Sequence, residues 1–332
     1  MILVTGSSGH LGEAIVRTIG AGDVRSVDIQ PGEFTSDPGD IRDRDHIRKC
    51  LQGVTTVYHA ATLHKPHVAT HSTQDFIDTN ISATAMLLEE AVRAGVRSFI
   101  FTSTTSVYGE AMQPRGGEPA IRVTESVSPV PKNIYGVTKL AAENLCRLAH
   151  REHGLNVLVL RTSRFFPEED DARERRDGWD QNNVKANEFL FRRVELSDCV
   201  SAHLCAAARA PDIGFGRFVI SATSPFLPED LADLRSNPAA VVSRRVPGFD
   251  EVYERLGWRM FDDISRVYIN DRARAELGWR PRYSFADVLA LAARGEETRS
   301  ELARAVGAKG YHDEAFDDGP YPVKPDYLRQ EG

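Results

Sequence analysis

Val4-Thr5-Gly6-Ser7-Ser8-Gly9-His10-Leu11-Gly12 is the stretch on which the reading of this 332-residue chain turns. It is a GxxGxxG with an apolar run, Ile2–Thr5, before it and a helical pattern, Leu11–Ile19, after it. Strand, glycine turn and helix in that order meet the physical demands of a dinucleotide site. Gly6 permits the tight turn and Gly9 lets backbone N–H groups approach a pyrophosphate. Gly12 lets the helix pack close to the sheet. The helix start, over Ser8, His10 and Leu11, turns unpaired N–H groups and positive potential toward the phosphates.

Outward from that turn, strand and helix patterns alternate. Val24–Asp28, Thr56–His59, Ser98–Thr102 and Asn156–Leu160 read as strands. Asp43–Leu51, Thr73–Ala94 and Tyr135–His153 read as helices. Such alternation predicts an α/β fold, a Rossmann-type doubly wound parallel sheet with a smaller C-terminal α/β substrate lobe. The expected division is 1–165 for the dinucleotide domain, with 193–222 returning to its sheet. Residues 166–192 and 223–309 form the lobe, and 310–332 an irregular tail. Arg193–Leu196 and Arg217–Ser221 are further expected strands, with Asp198–Ala208 a helix between them. Pro167–Gln181 is dense in charge and reads either as a solvated segment or as a lid over a substrate.

Asp28 ends the second strand, where a carboxylate accepts from the adenosine ribose hydroxyls and repels a 2′-phosphate. Ile29 and Gln30 offer that phosphate no cation, so the expected cofactor is NAD. Asp40-Ile41 follows a Pro-Gly loop and either meets the adenine amino group or makes an ordinary turn. Tyr135 and Lys139 stand at i and i+4 on one helix face. A nearby ammonium is expected to lower the phenol's pKa, letting it exchange a proton with a substrate hydroxyl. Upstream, Thr102-Ser103-Thr104-Thr105-Ser106 places hydroxyls at a strand's C-terminal end, where parallel sheets bind their ligands.

Together these motifs resemble the extended short-chain dehydrogenase/reductase superfamily, in its NAD-dependent epimerase/dehydratase branch. The similarity runs from the TGSSGHLG turn through YGVTK to INDRARAELGWRPRYSF (269–285). The resemblance implies that Thr104 is the catalytic hydroxyl, Tyr135 the acid/base and Lys139 its partner. It implies that His59-Ala60-Ala61 forms the loop beside the cofactor, with Thr102 nearby, and that Asn80 supports the site from the long helix. A homodimer through Thr73–Ala94 and Tyr135–His153 is implied as well. The chain also departs from the family. Dehydratases carry Asp-Glu after the catalytic Thr, whereas Thr105 and Ser106 stand here, so dehydration by that route is not expected. Sugar-nucleotide epimerases read LRxxN after the fifth strand, whereas this chain reads Leu160-Arg161-Thr162-Ser163-Arg164. Arg164 either grips a phosphate or carboxylate, or pairs with Glu168, Glu169 or Asp170.

Weaker signals remain. His59, His64, His67 and His71 match no metal-ligand spacing, so no metal is expected and His64 is assigned to substrate contact. Thr105, Ser163, Arg164, Asn187 and Arg192 are the other candidate substrate residues. Asn182, Asn183 and Trp179 are alternatives for a sugar pocket; Trp258 and Trp279 read as core. A net charge of −7 argues against a nucleic-acid partner. No apolar run is long enough for a membrane span. A strand at the first residues leaves no room for a signal peptide. Cys50, Cys146, Cys199 and Cys205 lack CxxC spacing, so free thiols in the cytoplasm are expected. The functional expectation is 4-epimerisation of a nucleotide-linked hexose by transient hydride transfer. The alternatives are a dehydrogenase or reductase of a free sugar, sugar acid or other small carbonyl compound and, more remotely, an NAD-binding regulator without turnover.

Overall fold

The computed structural model describes residues 1–170 and 173–309. The expected tail, 310–332, lies outside the described residues. Among the described residues nine strands are β1 (Ile2–Thr5), β2 (Val24–Asp28), β3 (Asp37–Pro38), β4 (Thr56–His59), β5 (Ser98–Thr104), β6 (Ile121–Val123), β7 (Val157–Thr162), β8 (Phe215–Ile220) and β9 (Arg266–Tyr268). Seven of them form one sheet in the order β3-β2-β1-β4-β5-β7-β8, and every pair is parallel. The chain order reverses between β1 and β4, which opens a crevice at the carboxyl ends of those strands. Phe99, Ile100 and Phe101 of β5 are all fully buried, the continuous apolar run of a strand covered on both faces.

The helices are α1 (His10–Ile19), α2 (Arg44–Cys50), α3 (Thr73–Phe76), α4 (Ala83–Arg93), α5 (Ile134–His153), α6 (Arg173–Gly178), α7 (Gln181–Phe189), α8 (Leu196–Ile213), α9 (Pro238–Arg245), α10 (Phe249–Leu256), α11 (Asp271–Glu276), α12 (Phe285–Ala293) and α13 (Glu301–Val306). One face of the sheet is covered by α1 and α8 through Leu11, Ile15, Leu196 and Val200. The other is covered by α2, α4 and α5 through Ile47, Leu87, Ala142 and Cys146. A separate core joins α7, α9, α10 and α12 around Leu190, Leu234, Val241, Phe249 and Phe285. The expected lobe over 223–309 is not one packing unit. Ala273, Leu277, Trp279, Ala303 and Val306 pack into the sheet's own core, and Ala120 packs with the lobe.

Three expectations need correction. The single long helix over Thr73–Ala94 is interrupted by a π-helical turn, Ile77–Ser82, between α3 and α4. That turn holds Asn80, which is buried and bonds outside the helix. Arg193–Leu196 is not a strand. Arg193 makes only an isolated bridge to Arg164, and Glu195 caps α8 through the Ser197 amide. The Val194 amide donates to the Arg164 carbonyl (3.0 Å) and the Arg193 carbonyl accepts the Ala222 amide (2.8 Å), but the chain turns into α8 before a ladder can extend. Pro167–Gln181 is not simply solvated, since it carries α6 and buries Asp170. The short strands β3, β6 and β9 carry no apolar alternation long enough to announce them.

Candidate active site

A cleft of about 1350 Å³ runs along the carboxyl ends of β1, β4, β5 and β7. Its dinucleotide end is built from the glycine turn. Gly6 has φ +78°, and a Cβ there would meet the Ala61 amide nitrogen at 2.6 Å. A Cβ on Gly12 would stand 1.9 Å from the Gly6 carbonyl oxygen. The turn is thus folded tightly against both the loop after β4 and its own helix. Gly6, Ser8, Gly9, His10, Leu11 and Gly12 all line the cleft. Asp28 lines it too, with one carboxylate oxygen accepting the Ser8 amide (3.0 Å) and the other the Gln30 amide (2.8 Å). These glycines, the amide-rich helix start and the carboxylate at the end of β2 fit an NAD molecule.

Further along, Asp40, Ile41, Ala60, Ala61, Thr102, Thr104 and Thr105 face the cleft. Asp40 is engaged by the Arg42 guanidinium (2.8 and 2.6 Å), which holds its carboxyl below the usual range. Arg42 also lines the cleft, a cation near the adenosine end that reading only residues 29 and 30 overlooked. His59 is a correction, because its ring turns into the sheet and does not line the cleft. It bonds Thr5 Oγ1 (2.7 Å) and Thr84 Oγ1 (3.0 Å), and burial pushes its pKa down to about 3. Asn80 is another. Its amide accepts from the Leu63 N–H (2.9 Å) and donates to the Leu63 carbonyl (2.8 Å) and Thr138 Oγ1 (3.0 Å). It braces the loop beside the cleft without lining it.

Tyr135 reaches the cleft because of how α5 starts. Asn133 caps the helix by accepting the Gly136 amide (3.0 Å). Gly136 packs so close to the 105–107 turn that a Cβ would lie 2.8 Å from the Ser106 carbonyl oxygen. That contact carries the phenol to Thr104, whose own hydroxyl accepts the Ser106 amide (3.1 Å). The tuning differs from expectation. Burial pushes the Tyr135 phenol up to about 12, against an interaction with the Thr104 side chain that pulls it down. Lys139 is 2% exposed and does not line the cleft. Its ammonium sits 4.1 Å from the centre of the Phe101 ring. Burial brings its pKa down to about 7, opposed by Cys146 and Glu143. With its pKa raised, the phenol can donate its proton to an oxygen held beside Thr104.

The opposite end of the cleft is lined by Ser163, Arg164 and Arg192, and by Arg266 and Tyr268, which the sequence did not single out as site residues. His64, Phe165, Phe166, Glu168 and Lys309 also line the cleft, nearer the glycine turn: Phe166 packs against the rings of His10 (5.4 Å) and His64 (5.7 Å), Glu168 meets His10 (2.8 Å), and Lys309 pairs with Glu13 of α1. Among the candidates for Arg164, the structure records Glu169, through its carbonyl (2.8 Å), and Asp170 (3.6 Å). Asn187 is not at the site. It is fully buried, donating to the Arg259 carbonyl (2.9 Å) and accepting from the Tyr253 hydroxyl (2.6 Å). Asn183 is likewise spent on the Arg259 amide, and Trp179 stacks under Arg259. The His64, His67 and His71 rings stack edge-on, with centroids 4.6 and 5.1 Å apart. Among the described residues no group of three or more side chains is arranged to hold a metal ion.

The model of the NAD dependent epimerase/dehydratase family matches residues 2–178. The chain belongs to that family. It is 31% identical to a UDP-glucose 4-epimerase of Streptomyces lividans over 48% of this chain and 49% of that protein. It is 27% identical to a dTDP-glucose 4,6-dehydratase of Streptomyces antibioticus over 87% of this chain and 90% of that one. The chain spans about half the length, or less, of the first curated relatives it matches. Its fold is that of a short-chain dehydrogenase/reductase superfamily protein from Agrobacterium tumefaciens solved with bound NAD. The two share 23% identity and a TM-score of 0.62, covering 92% of this chain and 97% of that one. No helix among the described residues is long and apolar enough to cross a membrane.

Proposed function

We propose that this family member moves a hydride between NAD and a hydroxyl-bearing carbon of a sugar-like substrate, with Tyr135, Thr104 and Lys139 as its working side chains. The observation that carries this reading is the Tyr135 phenol held against Thr104 in the wall of a cleft whose other end is the glycine turn. Bound NAD supplies the hydride acceptor and donor. Tyr135 exchanges the substrate's hydroxyl proton, and Thr104 holds the oxygen from which that proton leaves. Lys139 acts from behind the site, its charge placed over Phe101 on the helix face that carries Tyr135. Residues 6–12, Asp28, Ala60 and Ala61 seat the dinucleotide, with Thr102 at the end of β5. Asn80 holds the 62–63 loop in place.

Two net outcomes follow from one half-reaction. Epimerisation of a nucleotide-linked hexose returns the hydride to the opposite face of a transient ketone, and the epimerase relative supports that outcome. Net oxidation releases the ketone or lactone, and the way the cleft ends supports this second reading. Thr105 and Ser106 stand where family dehydratases carry Asp-Glu, which disfavours loss of water. Exposed Val137 and Leu148 on α5 support pairing of two copies through α4 and α5.

The test is Tyr135→Phe. Turnover is expected to fall by about 10²–10⁴-fold, with NAD binding retained by calorimetry. Undiminished turnover ends the mechanism. Absorbance of the reduced nicotinamide, read alongside sugar analysis, separates the two net outcomes.

A further inference from the structure

Three guanidiniums from separate segments line the far end of the cleft: Arg164 after β7, Arg192 after α7 and Arg266 on β9. Backbone bonds fix their relation. The Arg164 amide donates to the Arg192 carbonyl (3.2 Å), and the Tyr268 amide to the Phe191 carbonyl (3.0 Å). Behind them lie two buried carboxylates. Glu188 is 1% exposed and accepts from Arg192 (2.7 Å) and Arg193 (2.7 Å), with Arg164 at 3.9 Å. Asp170 has Arg192 at 3.4 Å, Arg164 at 3.6 Å and Arg175 at 4.0 Å.

Among the described residues, four guanidiniums therefore gather on two carboxylates, and Arg266 adds a fifth. No carboxylate among the described residues pairs with Arg266. Its hydrogen bond is a long one to Ser265 Oγ (3.4 Å), and its Nε is buried without a partner. Burial lowers the pKa of Arg175, and the charges of Arg192 and Arg266 add to that against the pull of Asp170 and Glu188. A surplus of like charge around a cleft attracts an oxyanion, and a guanidinium fork binds one with two parallel bonds.

The cleft also ends at this cluster. From residues 223–306 only Arg266 and Tyr268 line it. Trp179, Asn183 and Asn187, the side chains that would furnish a larger sugar or base pocket, are spent within the lobe. Register gives the scale. Thr104 pairs with Thr162, and Arg164 lies two residues on, about 7 Å along the strand direction.

We propose that this end of the cleft seats the anionic group, carboxylate or phosphate, of a compact hydroxylated substrate on Arg266 and Arg192, and that Arg266 sets the preference for a charged over a neutral substrate. The proposal rests on the hydride-transfer reading for its reaction, but its binding can be measured without turnover.

The experiment uses the full chain with NAD and compares D-glucose, D-glucuronate, glucose 6-phosphate and UDP-glucose, by turnover and by calorimetry. Glucuronate and glucose 6-phosphate separate the two sources of the anion. A compact anion is expected to be preferred over glucose at least tenfold in kcat/KM. Arg266→Gln is expected to reduce that preference roughly tenfold to a hundredfold, mainly through KM. Arg266→Lys should restore part of it, which a merely structural role for Arg266 would not predict. Equal use of glucose and the two compact anions overturns the proposal, as does a preference unchanged in Arg266→Gln. Tighter binding of UDP-glucose than of either compact anion overturns the limit on size. If no compound is turned over, the hydride-transfer reading fails. The arginine site is then decided by whether glucuronate or glucose 6-phosphate binds the wild type and is lost in Arg266→Gln.

Discussion

The two ends of the cleft are made by different physics. The dinucleotide end is a matter of backbone, with three glycines within seven residues, amides turned outward and contacts so tight that one methyl group has no room. The substrate end is a matter of charge. Arginines from the segments after β7 and α7 converge there on Glu188 and Asp170, and Arg266 of β9 lines the same cleft. A backbone device is local in the chain and tolerates almost nothing. A charge cluster is assembled from distant segments and changes its preference with one substitution. A family that keeps one cofactor while varying its substrate is served by that division.

The comparison can be broken most sharply at Glu188. Replacing this buried carboxylate by Gln leaves Arg192 and Arg193 facing each other, and the expected loss is about 3–5 kcal/mol in urea unfolding. A loss below about 1 kcal/mol would show that the cluster does not depend on its central anion. At the opposite end, Gly12→Ala drives a methyl into the Gly6 carbonyl. The expected cost is about 1–3 kcal/mol of stability, together with weaker NAD binding by calorimetry. Normal NAD affinity in that variant would mean that the turn yields more readily than its geometry indicates.

Read per pH unit, the smallest effect expected is one of pH. His59 and His203 are fully buried, with pKa values pushed down to about 3 and 4 from an ordinary 6.5. The unfolded chain binds their protons more readily, so their contribution is intact above pH 6.5 and fades as pH falls toward 4. Asp198, pushed up to about 6, works in the opposite sense, since the folded state holds its proton between about 4 and 6. The two histidines outweigh the one carboxyl. The net fall is about 1.4 kcal/mol per pH unit near pH 5. Unfolding midpoints measured from pH 7.5 to 5 check it, and His59→Gln should flatten the slope.

What could be read from the sequence follows the same division. Gly6, Gly9, Gly12 and Asp28 were visible because their job is set by neighbours within about twenty residues. Tyr135 was visible from its spacing to Lys139. The pKa shifts of that pair were not, because they depend on burial against Phe101 and Thr104, which no spacing encodes. His59 misled for a related reason: a histidine at a strand end has two faces, and only packing against Phe99 and Phe101 shows which one is used. Arg266 lies more than a hundred residues from Thr104, on a three-residue strand without an apolar pattern. The one available signal was an arginine flanked by apolar residues, in Arg266-Val267-Tyr268.

The return of α13 to the first core has a consequence for how the protein is made. Ala303 and Val306 pack in the cluster that holds Leu11 and Ile15 of α1. A nascent chain that has already delivered β8 owns every strand of its main sheet, yet that cluster still lacks its last members. The nucleotide-binding half can finish assembling only once the chain has been made as far as Val306. Truncations that remove the last described helix should therefore harm the first one.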